Sequence, residues 1–396
     1  MIRFANATRL LALLGVLSML AGCGGSSRSS TANPTPNNTE SIVVNAGPAG
    51  GYANGVFASV TICVPGSSNC QTINGVLVDT GSFGLRVLSS ALGSLNGALP
   101  QQKDSSGNSI LECAQFVNSV LWGPVVNADV GMAGEKASSI PVQVIDPSST
   151  PIAAGCKAIG PAEEDLTSLG ANGILGIGFF IQDCGGACAV SGSSNPGFYY
   201  SCAGSTCHVT GESGAQQVQN PIAHFSHDAN GVMINLPSAS AGAPSLSGSL
   251  VFGIGTQENN GIGSAQTLRA DNFGNLKTNF KNQTYSGFID SGSNAYFFLD
   301  SSATGMPDCP NPESGFYCPS SPVNLSASNS DGSTTNTVNF TIGNASQMFS
   351  ISANFVFPTL GGPNPSTFDW GLPFFFGRKI FVGIEAPAGS GPFWAY

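Results

Sequence analysis

Charge is scarce in this sequence. Charged side chains make up 9% of 396 residues, and 12 basic residues stand against 22 acidic ones. A chain so poor in Lys and Arg cannot build the cationic face that nucleic acid requires, nor one suited to anionic membrane surfaces. Histidine is nearly missing, with His208, His224 and His227 the whole supply. No G-x-S-x-G element occurs, so a serine hydrolase of the nucleophile-elbow type is excluded. Phosphate-binding loops are absent too, since Gly253-Ile254-Gly255 lacks the later glycine of a dinucleotide fingerprint. Long apolar runs are also lacking. The stretch Leu10–Leu20 is too short to span a bilayer comfortably and reads as a signal-peptide core behind Arg3 and Arg9.

What the chain does have is turn formers. It holds 52 Gly and 25 Pro, with 41% apolar residues. Most apolar segments are short and bounded by Gly, Asn, Ser or Pro, the pattern of an all-β chain with many turns. The length allows two cores of ordinary domain size. The signal core ends in Leu20-Ala21-Gly22-Cys23, which resembles a bacterial lipobox. That resemblance implies cleavage before Cys23, lipidation of Cys23 and, without Asp after it, an outer-membrane destination. The organisation expected is therefore a signal peptide over 1–22, a flexible tether over 23–40, one lobe over 41–236 and a second over 237–396. Of 11 cysteines, ten remain once Cys23 is set aside, an even number that fits up to five disulfides in an exported protein. Cys309 has only Cys318 nearby, and Cys63 with Cys70 suits a hairpin. The four cysteines from Cys184 to Cys207 have no assignable pairing. A zinc site there with His208 is the rival reading, disfavoured by an oxidising compartment.

The chain turns on one short sentence written twice. Leu77-Val78-Asp79-Thr80-Gly81-Ser82 returns as Phe288-Ile289-Asp290-Ser291-Gly292-Ser293. Each copy is a pair of β-formers running into an Asp, then a small hydroxyl, Gly and a second hydroxyl. That reads as a buried strand ending in a tight turn that presents a carboxylate. Around these turns, Leu111–Leu121 and Val125–Val130 read as a hairpin with its tip at Trp122-Gly123-Pro124. Residues 183–219 read as an insertion of loops. Val338–Ile342 and Gln347–Ile351 read as a hairpin around Gly343-Asn344.

Together these residues resemble the pepsin-like aspartic peptidases. The two Asp turns, Gly173-Ile174-Leu175-Gly176 as a brace for the first, Gly248–Gly253 as the strand opening the second lobe, and Trp370-Gly371 through Arg378 as the second brace all match in order, over about 41–385. The resemblance implies a bilobal double β-barrel with a central cleft, acting as a monomeric endopeptidase on peptide or protein substrates without metal or cofactor. Asp79 and Asp290 would be catalytic. Thr80 and Ser291 would hydrogen-bond across the lobe interface, Gly81 and Gly292 would permit close approach, and Ser82 and Ser293 would hydrogen-bond the outer carboxylate oxygens. Trp122 and Gly123 fall where the family has its mobile flap, with Trp122 in place of the usual Tyr. Arg86 falls near the family's Trp partner, where it would lower the pKa of the pair or anchor an acidic substrate. The alternative function is an envelope lipoprotein that keeps the fold to bind peptide or cell-wall ligands without cleaving them.

Overall fold

The computed structural model describes residues 37–396. The signal segment, Cys23 and the tether up to residue 36 lie outside the described residues. The tether ends sooner than expected, because Thr39 and Glu40 already pair with Val251 and Leu250.

The fold is mostly β, with only short helical turns between strands. In chain order the first strands are β1 (Thr39–Asn45), β2 (Gly55–Cys63), β3 (Cys70–Asp79), β4 (Phe83–Leu88), β5 (Ser109–Gln115), β6 (Val120–Met132), β7 (Glu135–Ile145), β8 (Gly173–Ile177), β9 (Tyr199–Ala203) and β10 (Thr206–Val209). Strands β11 (Gly231–Leu236), β12 (Leu246–Phe252) and β13 (Thr267–Arg269) follow. Then come β14 (Leu276–Phe280), β15 (Gln283–Ile289), β16 (Tyr296–Leu299), β17 (Val323–Ser330), β18 (Thr335–Ile342), β19 (Gly361–Gly362) and β20 (Asn364–Trp370). The chain closes with β21 (Arg378–Gly383) and β22 (Phe393–Ala395).

Two sheets result. The larger has the order β10-β9-β5-β6-β7-β4-β8-β3-β2-β1-β12-β11-β21-β22-β13, and β6 also pairs with β2. That extra pairing closes β2, β3, β8, β4, β7 and β6 into a barrel whose interior holds Val60, Ile62, Val78, Val87, Val130, Val142 and Leu175. Closure leaves those strands no free edge. The smaller sheet, β18-β17-β14-β15-β20-β16-β19, comes wholly from later residues. Its core is aromatic, with Phe298 stacked on Phe368 at 4.8 Å and Phe340 edge-on to Trp370 at 5.2 Å. The Trp370 indole N–H donates to Asn329 Oδ1 at 2.9 Å, so the buried ring is satisfied. The boundary expected at 236/237 falls in the connection between β11 and β12, which are neighbours in the larger sheet.

Both Asp turns sit in one repeated topology. In the first copy β3 runs parallel to β8, which runs antiparallel to β4, and β4 runs parallel to β7. In the second, β15 runs parallel to β20, which runs antiparallel to β16, and β16 runs parallel to β19. An antiparallel neighbour precedes each, β2 beside β3 and β14 beside β15. The duplicated motif is thus a duplicated piece of sheet, with the same strand directions.

Three local readings need correction. Trp122-Gly123-Pro124 is no turn: β6 runs straight through it, paired with β5 from Leu111↔Pro124 to Gln115↔Val120. Gly123 serves close strand contact there, since a methyl on it would stand 1.9 Å from the Val144 carbonyl oxygen. The loop-like stretch 183–219 contains the β9–β10 hairpin, which extends the sheet beside β5. Residues 345–349 form a helical turn rather than a strand, because the Asn344 side chain accepts from the Gln347 N–H as an N-cap. Instead β18 pairs with β17.

Five disulfides are present: Cys63–Cys70, Cys113–Cys156, Cys184–Cys188, Cys202–Cys207 and Cys309–Cys318. The two pairings read from the sequence are among them. The Cys184–Cys207 group forms two local bridges, so its thiols are not free to ligate zinc.

Candidate active site

Asp79 is the last residue of β3, and β8 holds it by the register Asp79↔Gly176. Asp290 follows β15 and donates its backbone N–H to the Trp370 carbonyl at 3.0 Å. The same internal bonding recurs in each turn. Gly81 N–H donates to Asp79 Oδ1 at 2.8 Å, and Gly292 N–H donates to Asp290 Oδ1 at 2.7 Å. The Ser82 hydroxyl donates to Asp79 Oδ2, and the Ser293 hydroxyl donates to Asp290 Oδ2 at 2.8 Å. These are the roles expected of the two serines.

The turns meet face to face, each carboxyl set against the glycine of the other turn. Glycine is required on both sides of that contact. A methyl on Gly81 would stand 2.7 Å from Asp290 Cγ, and one on Gly292 would stand 2.6 Å from Asp79 Oδ1. Between the turns Thr80 and Ser291 exchange buried hydrogen bonds, as the sequence led one to expect. Burial, and then the Asp290 charge, hold the Asp79 carboxyl well above the ordinary carboxylate range.

Two cavities flank the pair. One of about 350 Å³ is walled by Phe83, Phe179, Phe198, Phe288 and Trp394, with Asp79 and Asp290 at its edge. The other, about 300 Å³, is lined by Tyr52, Leu77, Leu169 and Ile174 and reaches the same two carboxyls. Phe116 and Val117 border both. They form the turn of the β5–β6 hairpin, closed by Phe116 N–H donating to Ser119 O at 2.9 Å. Val117 is fully exposed at that tip.

This relocates the overhanging hairpin. Trp122 lies down its stem and is buried, its indole N–H donated to Thr150 O at 2.9 Å and its ring edge-on to Tyr200. Neither Trp122 nor Gly123 borders a cavity beside the pair. The signal that would have found the tip is Phe116-Val117-Asn118-Ser119 itself, where apolar strand residues give way to Asn and Ser.

Arg86 does border the larger cavity, but its charge is already committed. Its Nη2 bonds Glu112 Oε1 at 2.5 Å and Asp183 Oδ2 at 2.9 Å, and its Nη1 donates to Phe83 O at 2.8 Å. Tyr199 completes the cluster by donating to Asp183 Oδ1 at 2.6 Å. Both carboxylates sit at 3% or less side-chain exposure. Arg86 is thereby a tie between the Asp79 turn, the hairpin stem and the segment at Asp183. Burial and the Glu112 charge push the Asp183 carboxyl well up, against the pull of Arg86.

Residues 34–396 match the family model described as Protein of unknown function (DUF3443). The chain belongs to that family. No curated protein matches it.

Two further groups of this DUF3443 protein feel the charge of the pair and were not apparent in the sequence. Tyr52 lines the smaller cavity together with the pair, its hydroxyl pKa pushed up by burial and by the charges of Asp79, Glu163 and Asp290. Asp369, on β20, is 5% exposed and is held well above the ordinary range by burial and by the Asp290 charge. Among the described residues no group of three or more His, Cys, Asp or Glu is arranged to hold a metal ion.

Proposed function

We propose that this DUF3443 protein is an aspartic endopeptidase of pepsin-like, two-lobed architecture, hydrolysing peptide bonds with water activated between Asp79 and Asp290. One observation carries the reading: two copies of the same sheet motif bring their carboxyls together, each against the other turn's glycine, where both line the same two cavities. The repeated strand order and the aligned turn bonding support it. So do the cavities on either side, which suit an extended chain crossing the pair.

The chemistry follows from two carboxyls that cannot both ionise at about 3 Å separation. The ionised member takes a proton from water as its oxygen attacks the scissile carbonyl carbon. The protonated member gives its proton to the carbonyl oxygen. Collapse of the tetrahedral adduct breaks the C–N bond, the leaving nitrogen takes a proton, and the pair again holds one. Gly81, Ser82, Gly292 and Ser293 hold each carboxylate by two hydrogen bonds, so little reorganisation is needed during the step. Phe116 and Val117 close over the bound chain. The Leu20–Cys23 motif supports a lipid anchor in the cell envelope.

The test is peptide-library cleavage by the purified full chain from acid to neutral pH, beside Asp79→Asn and Asp290→Asn. Wild type cleaves and is blocked by a statine-type inhibitor, and each variant loses cleavage while keeping its β circular dichroism. Cleavage that survives either substitution rejects the mechanism. Peptide binding without cleavage, unaffected by either change, assigns the cleft to a binding protein instead.

A further inference from the structure

The two sheet motifs can be laid on one another residue by residue, and at one position they differ chemically. In the first, Leu77 pairs with Ile174 two residues before Asp79. In the second, Phe288 pairs with Asp369 two residues before Asp290. An apolar side chain in one half is therefore a carboxyl in the other, and a buried one. On its far side, β16 places Phe297 opposite it. Its Oδ1 has no hydrogen-bond partner among the described residues. Such a group costs stability and is not retained by packing alone.

Asp369 lies near Ser293, Asp290 and Asp79, the groups that act on its carboxyl. Ser293 donates to Asp290 Oδ2 at 2.8 Å. A serine hydroxyl has one proton to give. It cannot serve Asp290 and an ionised Asp369 together. A neutral Asp369 can instead donate to Ser293 Oγ and leave the serine proton on Asp290. We propose that Asp369 is a positioning residue of the site, a third carboxyl that holds the Ser293 proton on Asp290 while neutral and competes for it once ionised.

This sets the upper pH limit of the reaction, a consequence that rests on the peptidase reading above. When Asp369 ionises, Asp290 loses its serine hydrogen bond and gains a second negative neighbour. The pair then gives up its shared proton to the carbonyl oxygen less readily. Burial and the Asp290 charge both delay that ionisation to higher pH. No cation faces Asp369 across β15 or β16, where Phe288 and Phe297 stand.

Two measurements test it. In protein labelled with 13C at aspartate Cγ, the Asp369 signal is the one missing from Asp369→Asn. It titrates above the ordinary carboxylate range in wild type, and falls by about one pH unit in Asp290→Asn. A midpoint unmoved by Asp290→Asn overturns the proposal. In the pH profile of kcat, Asp369→Asn keeps the acid-side rate, because its amide still donates to Ser293. Its alkaline limb extends about one pH unit higher. Asp369→Ile, the residue of the first motif, loses about tenfold in kcat at unchanged KM. An Asp369→Asn profile that superimposes on wild type overturns the proposal. A wild type that cleaves no peptide, with the coupling still seen by NMR, rejects the peptidase reading and leaves the three-group hydrogen-bond chain standing.

Discussion

The backbone N–H of Thr80 donates to the Ser291 hydroxyl at 3.1 Å, and the N–H of Ser291 donates to the Thr80 hydroxyl at 2.9 Å. Each hydroxyl then passes its own proton on. Thr80 Oγ1 donates to Ile289 O at 3.0 Å, and Ser291 Oγ donates to Val78 O at 2.7 Å. Each turn thus caps the strand that carries the other turn's Asp. The distance between the two carboxyls is fixed by these four bonds, all inside the protein, and not by the carboxyls themselves, which repel when both are charged.

Thr80→Val keeps the shape and removes the hydroxyl. It strands the Ser291 N–H and leaves Ile289 O without a donor, at about 2–4 kcal/mol for two buried groups. Ser291→Ala does the same to Thr80 N–H and Val78 O. The two substitutions break different bonds across one contact, and side chains in contact couple, so the double variant departs from the sum by about 1 kcal/mol. Urea unfolding of the four proteins measures this. Strict additivity would mean the exchange contributes nothing as a unit.

Asp79→Asn separates chemistry from folding. Asp79 is held above the ordinary carboxylate range in the folded protein, so the fold keeps a proton that the unfolded chain has lost. Below the unfolded pKa both states are protonated and nothing is lost. As pH rises from there towards the folded pKa, stability falls, and above it the loss is constant. Asn carries no such penalty. The variant therefore matches wild type near pH 3 and exceeds it at pH 7, on the order of 1 kcal/mol, while it cleaves nothing. Equal stability at both pH values would remove the argument for a strained pair.

Some of this was legible in the sequence because local chemistry decides it. An Asp followed by a small hydroxyl and Gly after two β-formers can do little but turn, and two copies imply two equivalent places. The disulfides Cys63–Cys70 and Cys309–Cys318 join close neighbours in sequence and could be read the same way. Cys113–Cys156 could not, since it depends on how β5 packs against a distant helical turn. The second brace was placed on the wrong side of Trp370. The strand beside Ile289 runs from Asn364 to Trp370, and Gly371 turns away under the Ser293 and Ala295 carbonyls. Asp369 was hidden by that shift of register. Its counterpart, Ile174, appears only when the two motifs are superposed.

The hairpin offers a contrast between two aromatic residues. Phe116 borders both cavities beside the pair, so Phe116→Ala raises KM about tenfold or more and changes folding stability little. Trp122 borders neither and is buried in the stem. Trp122→Phe gives up the indole N–H to Thr150 O and part of the ring. It costs about 1–2 kcal/mol of stability and leaves KM unchanged. Steady-state kinetics beside denaturant melts checks both, and a KM effect at Trp122 would return the overhanging role to the stem.

Arg86→Leu is a harsh change outside the pair. It leaves Glu112 and Asp183 buried with no cation between them, and breaking a buried ion pair from one side costs about 3–5 kcal/mol at neutral pH. Protonation relieves that loss. Asp183 is already pushed above the ordinary range by burial and by Glu112, with Arg86 pulling the other way. Removing Arg86 raises it further, so the folded variant holds a proton that the unfolded chain releases near pH 4. Stability of the variant then falls as pH rises from about 4, and the gap to wild type is narrow at pH 4 and wide at pH 7. Denaturant midpoints at the two pH values measure the gap. Arg86 also donates to Phe83 O, next to the Asp79 turn, so activity measured at pH 4, where the fold persists, falls by lowered kcat with KM retained. A loss of stability that is the same at both pH values would show that Arg86 holds the fold through packing of its stem, and not by answering two buried carboxylates.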